Sequence, residues 1–142
     1  MATDFQEALI AWWGSNAALA AVGLPILHFG TGVDDLYPYA VLMKIGGKAE
    51  GRNTGKGYWD TDHWRFSLFD GDLDRAVALI DTVTAQLDTL YDNPLTLPTN
   101  RQMAFYRTGD DVTKIRHVGT AGVPFVWNVS VTYLSKVSRT RA

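Results

Sequence analysis

Two stretches alternate apolar and polar side chains for so long that they constrain the whole fold. In Tyr58 to Phe69, Trp64, Phe66 and Leu68 fall on one side, and Thr61, His63, Arg65 and Ser67 on the other. In Val123 to Leu134, Val123, Phe125, Trp127, Val129, Val131 and Tyr133 alternate with Asn128, Ser130 and Thr132. Successive side chains on a strand point to opposite faces, so each stretch has one apolar face and one polar face. Such strands suit an antiparallel sheet covered by helix on one side only.

The cover is legible too. Leu73, Ala76, Val77, Ile80, Val83, Leu87, Leu90 and Tyr91 recur at helical spacing, with Asp74, Arg75, Asp81, Asp88 and Thr89 opposite, and Pro94 stops the run. Near the N-terminus Phe5, Ala8, Leu9, Trp12 and Trp13 mark an amphipathic helix over 4–13. Asp4 is its expected N-cap and Glu7 the other half of a capping box. A short alanine-rich helix is expected over Asn16 to Val22, ending at Gly23 before Pro25. Further strands are expected at Ile26 to Phe29, at Tyr39 to Ile45 with Tyr39, Val41, Met43 and Ile45 on one face, and as pieces at Leu95 to Leu97 and Met103 to Arg107. The expected class is therefore α+β: a mostly antiparallel sheet of four to five strands, packed by one long central helix and an N-terminal helix pair. At 142 residues, with 46% hydrophobic and 20% charged residues, the chain has the size and composition of one globular domain. Residues 1–135 make up that domain and 136–142 a basic tail.

Between two of the strands lies "GGKAEGRNTGKG", Gly46 to Gly57, with five glycines and three basic residues. A Walker-type phosphate loop needs a hydroxyl residue after Gly-Lys and a glycine five positions before the second one. Here Gly55-Lys56 is followed by Gly57, and Glu50 occupies the earlier position. A strand pattern also follows where that motif needs a helix, so the stretch reads as a long hairpin loop.

Other chemistry fares no better. His28, His63 and His117 sit in three different elements, without a second ligand at metal-binding spacing. In "WDTDHW", Asp60 and Asp62 point one way on a strand and His63 the other. "DGDLD" opens like a calcium loop, but Arg75 stands at the sixth position and Asp81 at the twelfth. Carboxylates there fit a helix N-terminus instead. No serine lies in a G-x-S-x-G turn. The residues assign no catalytic, metal or cofactor site. The absence of cysteine excludes a disulfide framework and a thiolate zinc site. A formal charge of −2 gives no sign of a dedicated nucleic-acid binder. No uncharged apolar run approaches a membrane span, so a soluble, unexported chain is expected and the Asn128-Val129-Ser130 sequon is read as coincidence. Of the five tryptophans, Trp12, Trp64 and Trp127 are assigned to the core, and Trp13 and Trp59 to a partner surface.

Taken in order, the helix pair, the short strand and acidic loop before "YPYAVLM", the glycine-rich hairpin, "HWRFSLF", "DLDRAVALIDTVTAQLDTLY", "NPLTL" and the late strand ending "VSVTYL" resemble a known pattern. It is that of the tail-completion, or tail-terminator, proteins of long-tailed bacteriophages and phage-derived particles. The resemblance spans about residues 4 to 135; Gly119 to Pro124 and the basic tail depart from it. It implies a non-enzymatic virion protein of the tail and neck, assembled in the host cytoplasm. Such a protein forms a homo-oligomeric ring, usually a hexamer, on the last ring of tail-tube subunits, stops tube growth and docks the head connector. DNA passes through the lumen without sequence-specific binding, and no membrane or cofactor is involved. On this reading Lys48, Arg52 and Lys56 of the hairpin, with Trp59, Trp13, Arg139 and Arg141, contact neighbouring subunits, tube or connector.

Three other readings compete with it. Another neck or head-completion protein is the nearest, although those are commonly dominated by helices or small β-barrels. A small enzyme would use Asp34, Asp35 and His28 near the strand end, and would need them converged in a closed pocket. A nucleic-acid-binding module would use the glycine loop and the Arg139/Arg141 tail as phosphate contacts.

Overall fold

A computed structural model describes residues 4–29, 37–50, 58–98, 100–108, 113–118 and 125–139. Helices α1 (Asp4–Gly14) and α2 (Ala17–Ala21) lead into strand β1 (Leu27–Phe29) and the long strands β2 (Tyr39–Glu50) and β3 (Tyr58–Asp70). Helix α3 (Leu73–Asp88) follows, then β4 (Arg101–Arg107), β5 (Thr113–Val118) and β6 (Phe125–Arg139). The sheet order is β1-β2-β3-β6-β4, with β5 also pairing β6. All pairings are antiparallel except β1 with β2. The expected α+β class holds, with a sixth strand and one parallel pair that make the sheet mixed.

Local chemistry places the helix ends. Asn16 caps α2 by accepting from the Leu19 N–H, and Asp72 caps α3 by accepting from the N–H groups of Asp74 and Arg75. Gly23 follows α2 at φ 86°, in the left-handed region that costs glycine least. One step earlier, buried Asp70 accepts from Arg75 Nε at 2.6 Å and from the Asp72 N–H at 3.3 Å, fixing the corner between β3 and α3.

The core lies between the helices and one face of the sheet. Phe5, Leu9 and Trp13 of α1 and Ile80, Val83 and Leu87 of α3 bury against Leu42, Trp64, Phe66, Leu68, Val129, Val131 and Tyr133. Aromatic rings knit it together: Phe66 meets Tyr133 edge-on at 5.6 Å, and Phe105 stacks on Tyr133 at 4.9 Å. Gln102 ties β4 to the end of the α3 segment, donating to the Leu90 carbonyl at 2.7 Å and accepting from the Leu95 N–H at 3.0 Å.

As expected, Tyr39, Val41 and Met43 share one face of β2, but that face is turned from the helices; Ala40 and Leu42, in register with Leu68 and Phe66, face the core. Both faces of this strand are apolar, so its sequence alone does not say which one the helices cover. The hairpin loop does not begin at Gly46, because β2 continues through Glu50 in register with Trp59. The chain does not leave the domain at Lys136: Lys136 to Arg139 continue β6, paired with Thr61 to Tyr58. Tyr91, assigned to the core face of the long helix, lies beyond α3 and is exposed.

Candidate partner interface

At one end of the sheet the register gathers basic residues singled out in the sequence. Lys48 of β2, Thr61 of β3, Lys136 of β6 and Ala104 of β4 share one cross-strand row. Glu50, Trp59, Ser138 and Arg101 form another, and Arg139 pairs with Tyr58 at its end. Lysine and arginine positions of β2, β4 and β6 thus lie at one end of the sheet, as do Glu50, Asp60 and Asp62. Trp59 is half-buried there.

The neighbouring rows of this end are specifically built. Asp62 is buried and pairs with Lys44 Nζ at 3.2 Å, while the same ammonium lies 5.9 Å from the Trp64 ring centroid. Trp64 in turn donates from Nε1 to Ser135 Oγ at 2.8 Å. Gly47, opposite Asp62, has no room for a side chain: a Cβ there would collide with Asp62 Oδ1 and come within 3.2 Å of the Thr61 carbonyl oxygen. A β-bulge between Lys44 and Gly46 resets the register where the hairpin leaves the body. At least two of the glycines in the conspicuous stretch therefore belong to a strand: Gly47 allows close approach, and Gly46 lies at the bulge.

The expected contact residues divide. Lys48, Trp59 and Arg139 are brought to the same end of the sheet. Arg52, Lys56 and Arg141 lie outside the described residues, as do Asp34 and Asp35 of the enzyme reading. Trp13 is removed from the surface set: it is fully buried, stacks on Phe66 at 6.3 Å and donates from Nε1 to the Leu24 carbonyl at 2.9 Å. Its neighbour Trp12, assigned to the core, is only partly buried against it. One helical step separates the two, and sequence spacing does not resolve which ring points inward.

A second surface was missed in the sequence. On the face of the sheet opposite the helices, Tyr39 stacks between Tyr37 at 5.4 Å and Phe69 at 5.2 Å, and His28 meets it edge-on at 6.2 Å. Phe69 is in register with Asn128, and Asn128 with Ile115, which is exposed. The Oδ1 atom of Asn128 is buried there without a hydrogen-bond partner. The available signal was the double apolar character of β2, with Tyr39, Val41, Met43 and Ile45 left over once Ala40 and Leu42 fill the core.

No family model matches the sequence, and no curated protein matches it significantly. Among solved structures, the chain is similar to one from the virion of a native gene transfer agent (GTA) particle, with a TM-score of 0.62 and 11% identity. The similarity covers 93% of this chain and 94% of that one, so the two share a fold over nearly their entire lengths.

Proposed function

We propose that the chain is a structural protein of a phage or phage-derived particle. In this reading it forms a ring, usually of six copies, that caps the head-proximal end of the tail tube. The ring ends tube polymerisation and offers the docking surface for the head connector, while DNA crosses its lumen without sequence readout. The observation that carries the reading is the near full-length likeness of fold to a chain of a GTA virion, together with the order of elements that resembles tail terminators. The end of the sheet to which the register brings Lys48, Trp59 and Arg139 supports it, because positions of both charge signs gathered at one end suit contact with other protein subunits. Lys48, Arg52, Lys56, Trp59, Arg139 and Arg141 form the contact set, the hairpin acting as an arm toward a neighbouring subunit, tube or connector.

Disrupting the gene in its source genome and imaging the resulting particles tests this function. Detached full heads beside tails of overlong or irregular length are expected. Normal tails joined to heads would refute it. Deleting Arg52 to Lys56 tests the arm separately, since ring assembly on tube ends that proceeds unchanged would remove its role.

A further inference from the structure

The sheet has two open sides. On one, β1 pairs only with Ala40 to Leu42 of β2, so the edge from Met43 onward has no strand partner among the described residues. Met43, Lys44, Ile45, Gly46 and Gly47 are all exposed. On the other side β4 pairs with β6, and apart from an isolated bridge from Arg101 to Thr96 its outer edge has no strand partner among the described residues.

The geometry points to edge-to-edge pairing between copies of this chain, with β2 of one copy adding to β4 of the next. Strand direction carries the first part of the argument. β3 runs antiparallel to both β2 and β6, and β4 runs antiparallel to β6, so β4 and β2 point in opposite directions within one copy. A rotation about an axis along the strands preserves direction. The β4 of a neighbour generated by such a rotation therefore meets β2 antiparallel, and the sheet continues from copy to copy with the helices always on the same side.

Side chains carry the second part. On the face away from the helices, β2 exposes Met43, with Ile45 beside it at the bulge, and β4 exposes Tyr106 in register with Leu134. Joining the edges places these apolar groups side by side, and cross-strand pairs of this kind stabilise sheets. Two of the edge cations are already paired within each copy, Lys44 with Asp62 at 3.2 Å and Arg107 with Asp88 at 3.7 Å. The bulges between Lys44 and Gly46 and between Gln102 and Ala104 interrupt both ladders, which keeps the joined segment short and the pairing weak and reversible. This contact is heterologous, and its closure into a ring rests on the reading given under Proposed function; the edge pairing itself does not.

The chain contains no cysteine, so disulfide trapping has no background. The test combines Met43→Cys with Tyr106→Cys in one full-length chain, and Met43→Cys with Ala104→Cys in a second, to cover two registers. Facing Cβ atoms on paired strands lie about 4.5–5.5 Å apart, close enough for small motions to reach disulfide geometry at about 3.5–4.5 Å. Each is oxidised at about 1 mM protein, where a millimolar Kd already populates the pair. The expected result is a ladder of covalent multimers in at least one double variant, dimers only when the matching single variants are mixed, and none from either single variant alone. Dimers from Met43→Cys alone would overturn head-to-tail pairing in favour of a symmetric β2 contact. No cross-link in either double variant at this concentration would overturn edge pairing altogether. Either failure leaves tube capping to be judged by the particles of the disrupted gene.

Discussion

The Tyr133 hydroxyl donates to Asp88 Oδ1 at 2.6 Å, joining the middle of β6 to the last residue of α3 across 45 positions of sequence. The ring lies wholly inside the core, stacked on Phe105, while Asp88 stands at the surface near Arg107. The bond adds a polar tie to the apolar packing of the long helix on the sheet. Tyr133→Phe keeps the packing and removes the bond, so a loss of about 1.5–3 kcal/mol in denaturant unfolding is expected, the range of a hydrogen bond to a charged group.

The same pair predicts a pH dependence. Burial, and then the bond to Asp88, push the Tyr133 hydroxyl well above its ordinary pKa. The folded state thus holds this proton more tightly than the unfolded chain does. The contribution is fully present below the unfolded tyrosine value of about 10 and is lost progressively as pH rises beyond it. Stability of the parent protein should fall more steeply above about pH 10 than that of Tyr133→Phe, as read by unfolding curves at matched pH. Parallel curves would show that the hydroxyl is not held this way.

At the base of the hairpin, Gly47→Ala should destabilise by about 1–3 kcal/mol, the usual cost of forcing atoms into a filled space. The obstacle is the Asp62 carboxylate, held in place by Lys44. Adding Asp62→Ala should therefore shrink the effect of Gly47→Ala. A double-mutant cycle measures this, and strict additivity would mean that Asp62 is not the obstacle.

Trp13→Ala should cost about 3–5 kcal/mol, as large-to-small changes in a packed core do. Trp13→Phe should retain the fold with a smaller loss, since it forfeits the bond to the Leu24 carbonyl but keeps a ring against Phe66. The milder variant should also assemble like the parent at matched folded concentration. A selective assembly defect in a stably folded Trp13→Phe protein would return this residue to the partner surface.

These predictions draw on parts of the fold that the sequence reveals unevenly. Residues 64–68, 129–133 and 76–87 carry strong periodicity because one face of each is apolar and the other polar, and the structure uses those faces. β5 escaped notice: in Thr113-Lys-Ile-Arg-His-Val only Ile115 and Val118 are aliphatic, and Ile115 is exposed, so burial leaves no alternation to read. β2 was ambiguous for the opposite reason: apolar residues on both of its faces left the choice of core face to pairing with β3. The candidate interface was partly legible. Lys48, Trp59 and Arg139 stand far apart in the chain, and only the register of β2, β3 and β6 brings them to one end of the sheet.

Cryo-electron microscopy of intact particles from the source genome would show whether this chain stands at the junction of tail and head. A ring of this fold is expected between the last tube ring and the head connector, with the Lys48, Trp59 and Arg139 end of the sheet against another subunit. Particles whose junction contains no density for this fold, or that lack the chain altogether, would contradict it.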